Sequence, residues 1–506
     1  MHRRFKLVTG VVVSLFLLAP LVMAQEWGGV LRVVPSQTVT GLDPFKTGGW
    51  GPRMIKENIF EPLVVVDFDG TLEGRMAASW EYSEDLLELT FHLRHGVTFH
   101  NGAEMTAKDV KYSLDRARDP VTGPTSWSLL VNIDRVDVVD DYTVKVVFSQ
   151  PDRLFLTQIY NYSFVIPADD TIDQLLSPVG SGPFKFVELT EEHVVVERFD
   201  DYYLEGLPYL DGIEFVFVAE ASTKVFMLET EAVNFLKAAP LATIADLKDN
   251  PDVTIDYGEN IEGPVVFFLP GLTTDTPIAD TRVRQAISYA LDRQQIIDVA
   301  FGGSATGSTA RSTIVPENDP LYNPNQIVYD RDIAKAKQLL ADAGYPDGLT
   351  MDCHPLLRTP EDDVMAAIVQ QNCADAGINL NIVRLDTPAW VADLRAIANP
   401  LPLSTTYSMP GALEQMWMIQ GRMHAGYTGL PDYDPEFWER QVDAAAIADK
   451  AAFEEEVLEL QRISSEMQYV IVVGDIPTIY AMRNYVKNFV SHPIGNMYFR
   501  KVWMEE

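Results

Sequence analysis

The sequence predicts an α/β protein built from two or three domains. In its first half, short segments alternate apolar with polar residues, as half-buried strands do; after about residue 275 apolar residues recur every three or four positions. The chain is also too long, at 506 residues, for one hydrophobic core. Because no long Gly/Ser linker separates these regions, we expect the domains to join by short crossings within a compact body.

Strands dominate the region after residue 25. The first three predicted strand regions are GGVLRVVP, EPLVVVDFDGTL and LLELTFHLRHGVTF. The third alternates polar or smaller residues with the apolar side chains of Leu87, Leu89, Phe91 and Leu93, which is the period of a strand with one buried face. DFDG, residues 67–70, has the composition of a hairpin turn. Further strands are expected in RVDVVDDYTVKVVF, HVVVERFDDYY, GIEFVFV and QYVIVVG.

Helices are predicted in the later part of the chain. One helical face of VRQAISYALDRQQII carries Val283, Ala286, Ile287, Ala290 and Leu291. In DRDIAKAKQLLADAGYPDG, Asp330 is the expected N-cap and Gly344 lies just past the helix end. In YDPEFWERQ, Asp434 is the expected N-cap and Pro435 occupies the first helical position.

The N-terminus has the pattern of a secretory signal peptide, residues 1–24. Three basic residues precede an apolar stretch from Leu7 to Leu18, and the small residues Val22 and Ala24 predict cleavage after Ala24. Removal of this segment takes away three basic and no acidic residues, so the net charge changes from −34 to −37. The signal peptide predicts an exported, periplasmic chain. Its acidic surface repels nucleic acid and anionic lipid, so we expect it to bind neither.

Cysteine and histidine give no metal or catalytic pattern. Cys353 and Cys373 are the only cysteines, one in a predicted strand and one near the end of the next helix. Export permits a disulfide between them, and a free pair is the alternative. The chain has no HExxH, CxxC or GxSxG motif, so we expect neither a metal site, a cofactor nor a nucleophilic active site.

The segment FHNGAEMTAKDVKYSLDR, residues 99–116, is rich in groups that could do chemistry. HNG has turn composition, and Thr106 and Asp109 are spaced to cap a helix in which Val110 and Leu114 share a face. A catalytic role for His100 would need a nucleophile or a partner acid, and the sequence supplies none. The segment therefore predicts scaffold, with His100 in a solvated turn.

VTFHNGAEMTAKDVKYSLDRARDP resembles the signature of the family 5 extracellular solute-binding proteins, the peptide, nickel and oligosaccharide receptors of ABC importers. GGVLRVVPSQTVTGLDPF, ENIFEPLVVVDFDGTLEGRMAASWEYSEDLLELTFHLRHGV and GSGPFKFVEL are similar to further motifs of that family. VRQAISYALDRQQII and DRDIAKAKQLLADAGYPDGL continue the resemblance, which covers nearly the whole chain after residue 24 in the family's order.

The resemblance implies a type II periplasmic binding protein with two hinged lobes and an extra α/β domain. Lobe I would combine residues 25–66, 177–270 and 477–506, the extra domain would hold residues 67–176, and lobe II would hold residues 271–476. A solute would bind between the lobes and close them. The signature segment would then lie in the extra domain, away from that cleft.

The first candidate contact is KTGGW. Gly48 and Gly49 let the backbone approach a ligand, Thr47 adds a hydroxyl, and Trp50 offers an apolar wall. The family's dipeptide receptors contact their ligand with a comparable loop. An ordinary turn with a half-buried tryptophan is the alternative.

The second candidate is Arg358 in HPLLRTPED, which follows a predicted strand and precedes a helix. A guanidinium suits a bidentate grip on a carboxylate, and the segment resembles the place where dipeptide receptors keep an arginine for the ligand's C-terminus. The alternative is a surface arginine paired with one of the acids at 361–363.

The third candidate, residues 404–418, departs from the family pattern. Peptide receptors have an aromatic residue followed by Asp-Pro here, and the aspartate binds the peptide's amine. Tyr407 matches the aromatic residue, but no Asp-Pro follows and Glu414 is the nearest acid. Tyr407 and Trp417 could instead stack on a sugar or an aromatic side chain, or pack in a core. Trp390 is a weaker candidate that could simply pack.

Taken together, the residues and the resemblance predict a monomeric receptor, not an enzyme. It would deliver a short peptide or another carboxylate-bearing conjugate to an inner-membrane permease that an ATPase drives. An oligosaccharide receptor using Trp50, Tyr407 and Trp417 is the first alternative. A secreted hydrolase, a receptor without a transporter, and a nickel receptor using His424 are the others.

Overall fold

The computed structural model describes the chain from residue 26 to residue 505 with gaps. The described ranges are 26–48, 50–67, 71–123, 127, 130–159, 162–239, 241–267, 276–302, 315, 319–357, 360–386, 389–390, 392–393, 402–405, 434–492 and 495–505. Gly49, Arg358, Tyr407, Glu414, Trp417 and His424, and the predicted signal peptide, lie outside these ranges.

The helices of the described part are α1 Trp50–Ile59, α2 Ala107–Arg118, α3 Phe155–Ile159, α4 Ala221–Glu229, α5 Ile244–Lys248, α6 Thr281–Ala290, α7 Arg293–Ala300, α8 Ile333–Asp342, α9 Pro360–Asp375, α10 Pro435–Ala445 and α11 Lys450–Met467. No described helix combines the length and the hydropathy that a membrane crossing requires.

The strands of the described part are β1 Val30–Val34, β2 Val64–Val66, β3 Leu72–Gly74, β4 Ala77–Tyr82, β5 Glu88–Leu93, β6 Ile133–Asp140, β7 Thr143–Phe148, β8 Phe184–Leu189, β9 His193–Arg198, β10 Gly212–Val216, β11 Phe235–Leu236, β12 Val253–Phe267, β13 Leu349–Pro355, β14 Ile378–Ile382, β15 Pro402–Thr405, β16 Ile471–Arg483, β17 Val486–Lys487 and β18 Trp503–Met504.

One ten-stranded mixed sheet runs through the molecule in the order β14-β13-β15-β12-β16-β11-β1-β10-β9-β8. Its two central strands, β12 and β16, are its longest, at 15 and 13 residues, and they pair antiparallel along their length. Residues 253–257 of β12 pair with 479–483 of β16 beside β11, whereas 265–267 pair with 471–474 beside β15. Each long strand therefore belongs to both halves of the sheet.

The hydrophobic core is divided along the same line. Within β16, Ile479 and Ala481 pack in a cluster with Val34 and Leu236 of the first half. At the other end of the strand, Ile471 packs in a separate cluster with α6, α8 and α9. The two halves thus pack largely in separate clusters and share the strand pair β12–β16, as the two-lobed prediction requires. The residue numbers at which the lobes begin and end stay a prediction.

The ladder between the two long strands is irregular at its middle. Register shifts lie between the pairs formed by Tyr257 and Ile261, by Ile261 and Pro264, and by Val265 and Val266 with their β16 partners. Pro264 and Pro477 lie in this stretch, and a proline lacks the N–H that a regular ladder uses. We call residues 258–264 and 475–478 the waist.

A second sheet, β4-β5-β7-β6, is antiparallel, and α2 packs on β6 and β7. The alternation predicted for the third strand region is confirmed in β5, where Leu89, Phe91 and Leu93 are buried. Their cluster continues without a break into β1, α1 and β8, so this sheet is fused to the first half of the large sheet by a shared core.

The helix caps show how far the sequence determined local structure. Thr106 is the N-cap of α2, and its N–H donates to Asp109 at 2.8 Å; Asp434 accepts the N–H of Phe437 at 3.0 Å, so both predicted N-caps are confirmed. Gly344 adopts a φ of +97°, as expected past a helix end.

Two helix predictions were wrong in detail. Asp332, and not Asp330, caps α8 by accepting the N–H of Lys335 at 2.9 Å. VRQAISYALDRQQII forms two helices, because Asp292 starts α7 by accepting the N–H of Gln295 at 3.0 Å.

His100 joins two of the motifs quoted above, residues 97–120 and 180–189. The N–H of Gly180 donates to its Nδ1 at 3.3 Å, so Nε2 carries the proton and donates to the carbonyl of Gly182 at 3.0 Å. Both glycines lie against the end of α1; a Cβ on Gly180 would stand 2.0 Å from the carbonyl oxygen of Ile59. The segment is scaffold, as predicted, but the expectation of a solvated turn histidine was wrong.

Cys353 and Cys373 are free thiols in the structure, fully buried in the same apolar cluster. Burial raises the pKa of both thiols, that of Cys373 to about 12, so neither is a reactive thiolate near neutral pH. The disulfide that export permits stays a prediction.

Acid should destabilise the protein through two histidines. Burial lowers the pKa of His100 and of His492 to about 4, against 6.5 in the unfolded chain. Protonation therefore favours the unfolded chain as pH falls from 6.5 to 4, by up to about 3 kcal/mol for each group. We expect the urea midpoint to fall over this range and the fall to be smaller in His100→Gln. The exposed His92→Gln should match wild type; equal falls in all three proteins would contradict this assignment.

Candidate functional site

The sheet directs strand ends from both halves toward the waist. β1, β10 and β11 are mutually parallel and run with β12, whereas β13, β14 and β15 are mutually parallel and run against it. The carboxyl ends of β1, β10 and β11 therefore point toward the second half of the sheet. Those of β13, β14 and β15 point toward the first half. Ligands of open α/β sheets bind outside the carboxyl ends of strands, so the candidate site is the crevice between these two edges.

On the first edge, the candidate loop lies between β1 and α1 and is organised by Asp43. The Asp43 carboxylate, buried at 1% exposure, accepts the N–H groups of Phe45 at 3.0 Å and Lys46 at 3.2 Å. Its main-chain oxygen accepts the hydroxyl of Thr47 at 2.7 Å. The Thr47 hydroxyl therefore already donates its proton within the loop. Its oxygen could only accept a hydrogen bond from a ligand. Gly48 is exposed, so its backbone is open to a ligand.

A buried lysine of α1, Lys56, supports this loop. Lys56 is 5% exposed, and its ammonium donates to the carbonyl of Thr47 at 2.5 Å and to that of Pro44 at 3.3 Å. Burial lowers the pKa of Lys56 to about 8, and the carboxylates of Asp43 and Glu57 oppose that effect. Nothing in the sequence indicated this role, because Lys56 lies among the apolar residues of α1, which begins inside the KTGGW motif.

The signature segment reaches the same loop. Arg116, in the last turn of α2, forms an ion pair with Asp43, and its guanidinium carbon lies 5.7 Å from the centroid of the Phe45 ring. The segment was expected to lie away from the cleft, but its arginine contacts the candidate loop. Asp43 in the L-D-P turn and Arg116 in the signature were both visible in the sequence, but nothing there indicated that they pair.

The C-terminus holds α1, and with it the loop, in place. Glu57 accepts the N–H of Met497 at 2.8 Å. Asn58 donates to the carbonyl of Met497 at 2.8 Å and accepts the N–H of Phe499 at 3.0 Å. Trp50 is the first residue of α1. Residues 497–499 thus form part of the support for α1 and for the loop that precedes it.

On the second edge, β13 and β15 are adjacent and parallel. Arg358 comes three residues after β13 ends, and Tyr407 comes two residues after β15 ends; both lie outside the described residues, as do Gly49 and Trp417. Asp363, one of the acids named as a possible partner of Arg358, pairs with Arg384.

Trp390 packs in the core. It is 5% exposed within an apolar cluster, and its Nε1 donates to the carbonyl of His354 at 2.8 Å. His354 in turn pairs with Asp393. This aromatic residue is therefore part of the frame of the second edge. Among the described residues, no three His, Cys, Asp or Glu side chains are grouped as a metal site.

The sequence profile of the bacterial extracellular solute-binding proteins, family 5 (middle), matches residues 71–421, more than half of the chain. The chain belongs to this family. The resemblance seen in the motifs is confirmed, and this family 5 protein is a receptor of the ABC-importer type, not an enzyme.

Among the relatives, the glutathione-binding protein GsiB of Pectobacterium atrosepticum is 29% identical over 74% of this chain and 73% of its own length. The periplasmic binding protein AgaA of A. tumefaciens, solved with agropinic acid, is 26% identical with a TM-score of 0.81, over 94% of this chain and 99% of AgaA. DppA of Helicobacter pylori, solved with the peptide STSA, has a TM-score of 0.82 at 23% identity, covering 95% of this chain and 99% of DppA. These structures confirm the predicted fold class.

Loss of the Arg116 guanidinium should destabilise the family 5 protein, because it leaves the Asp43 carboxylate buried without its counterion. We expect Arg116→Met to cost about 2–4 kcal/mol in the free energy of unfolding. Lys111→Met is the matched control, since Lys111 on the same helix pairs with Asp115 at the surface. That variant should lose less than about 1 kcal/mol. Urea titrations that give equal losses would show that the Arg116–Asp43 pair does not hold the loop.

Proposed function

We propose that this family 5 receptor captures a small organic solute that carries a carboxylate, such as a short peptide or an amino-acid conjugate. The solute binds between the two lobes, which close on it. The observation that carries the proposal is the opposition of two sets of strand carboxyl ends across the waist. This arrangement gives a solute contacts from both halves of the sheet at once.

The proposed contacts come from both edges. Thr47, Gly48, Gly49 and Trp50 supply backbone groups and an apolar wall from the first edge. Arg358 supplies the anchor for the carboxylate from the second edge, with Tyr407 and Trp417 as stacking surfaces. Two facts support the arginine: it follows a strand that points at the crevice, and the neighbouring Asp363 is engaged by Arg384.

The relatives support the chemical class. GsiB is named for glutathione, AgaA was solved with agropinic acid, and DppA was solved with a peptide. All three ligands are small and carry a carboxyl group. A guanidinium that grips a carboxylate by two hydrogen bonds is a recognition element common to such solutes.

Closure supplies the signal for delivery. A solute shifts the equilibrium between open and closed forms only by its differential affinity for the closed form. Contacts from both edges exist together only when the crevice is closed, so they supply that difference. The closed, loaded receptor then docks on an inner-membrane permease driven by its ATPase. We propose further that the receptor works as a periplasmic monomer after cleavage behind Ala24.

A thermal-shift screen tests the proposed solute class. The mature chain, residues 25–506, is heated with glutathione, di- and tripeptides, agropinic acid and neutral oligosaccharides. A bound solute at a hundred times its dissociation constant adds about 2.7 kcal/mol to the stability of the native state. We expect carboxylate-bearing solutes to raise the melting temperature of wild type but not of Arg358→Ala.

Arg384→Ala is the matched control, because Arg384 is an exposed arginine of the same lobe that is paired with Asp363. It should respond to the solute as wild type does. A shift produced by oligosaccharides alone would replace the proposal with the sugar receptor. An equal response of Arg358→Ala and wild type would remove Arg358 from the site.

A further inference from the structure

The buried lysine of α1 is costly where it stands. Lys56 lies between Ile55 and Ile59, which are fully buried, and an ammonium withdrawn from water is stable only if other groups replace its hydration. Two of those groups are the carbonyls of Pro44 and Thr47, at opposite ends of a four-residue stretch. The ammonium therefore ties together the two ends of the loop that leads into Gly48.

The charges that act on Lys56 come from the loop and from α1 itself. Asp43 in the loop and Glu57 in α1 favour its charged form, and Arg53 in α1 disfavours it. Arg53 is itself paired with Glu57 at 2.7 Å, and Arg116 of α2 is paired with Asp43. Both neighbouring carboxylates thus have an arginine partner, and burial dominates the titration of Lys56.

We propose that Lys56 is a positioning residue of the solute-binding loop and that its charge makes solute affinity depend on pH. This inference rests on the proposed role of residues 47–50 in binding. The charged ammonium gives charge-assisted hydrogen bonds, which are about twice as strong as neutral ones. When it loses its proton, the restraint on residues 44–47 weakens, and the form of the loop that binds solute becomes less populated.

The sign of the effect separates this role from a merely structural one. The pKa of Lys56 is about 8 in the folded chain and 10.5 in the unfolded chain. The unfolded chain therefore holds the extra proton between these values, so the Lys56 contribution to folding stability rises as pH increases from 8 to 10.5. Solute affinity changes in the opposite direction over the same pH values, because it requires the charged form.

The first test measures the loop without any solute. Hydrogen exchange of the peptide covering residues 43–50 is compared in wild type, Lys56→Met and Lys56→Arg at pH 7. We expect exchange at least tenfold faster in Lys56→Met, with β1 and β5 unchanged, and near-wild-type protection in Lys56→Arg, which keeps the charge. Unchanged loop protection in Lys56→Met, with the core still protected, would overturn the proposal.

The second test uses glutathione as the probe, with the dipeptide Met-Leu as a replacement if glutathione does not bind. Calorimetric affinities are measured at pH 7, 8 and 9. If only the charged form binds, the dissociation constant of wild type rises about tenfold from pH 7 to pH 9. Lys56→Arg does not titrate in this range, so the ratio between the two proteins cancels the ionisation of the probe.

The outcomes of the two tests distinguish this inference from the proposed function. A wild-type chain that binds no carboxylate-bearing probe contradicts the proposed function, and the exchange experiment still decides whether Lys56 positions the loop. A Lys56→Arg protein whose affinity falls with pH as steeply as that of wild type contradicts the role of Lys56, whatever the solute.

Discussion

The pairing of β12 with β16 is the constraint on which the rest of the structure depends. Every other strand of the large sheet joins one side or the other of this pair. Because the two strands run through both halves of the sheet, they fix the directions of β11 on one side and β15 on the other, and so direct both sets of strand ends toward the candidate site. The register shifts at the waist interrupt the ladder between the two halves, and this is the place where we propose that the halves move relative to each other.

The candidate loop illustrates how distant segments cooperate at one edge. The hydrogen bonds of Asp43 set the conformation of the loop, and Arg116 of the signature helix forms an ion pair with the Asp43 carboxylate. Lys56 donates to two carbonyls of the loop, those of Pro44 and Thr47. The helix that carries Lys56 is in turn fixed by backbone groups of Met497 and Phe499. Motifs separated by hundreds of residues in the chain thus form one support, and the signature segment serves the loop although it is scaffold.

The sequence predicted what local physics determines. The alternation around Leu89 and the caps at Asp109 and Asp434 are set by neighbours within a few residues, so their patterns were readable. Asp330 and Asp332 offer the same chemistry two positions apart, and which of them caps α8 depends on how the chain enters the helix. The resemblance to the family supplied the two-lobed arrangement, which periodicity alone could not.

Hydrogen bonds between residues far apart in the chain could not be predicted from the sequence. His100 was read as a solvated turn residue because its partners, Gly180 and Gly182, are 80 and 82 positions away. The same holds for Lys56, because its role is evident only once its hydrogen bonds to the carbonyls of Pro44 and Thr47 are known. The candidate anchors Arg358, Tyr407 and Trp417 were chosen by resemblance and by position, and they stay predictions.

The most direct measurement of the central claim is the distance between the lobes with and without solute. Val187 in β8 and Val299 in α7 are exposed on opposite halves, and both native cysteines are fully buried, so Val187→Cys with Val299→Cys accepts a dye pair. Val187→Cys with Val490→Cys, both in the first half, is the control. We expect a solute that stabilises the protein to change energy transfer in the first pair and not in the second. An unchanged first pair at saturating solute would contradict closure about the waist.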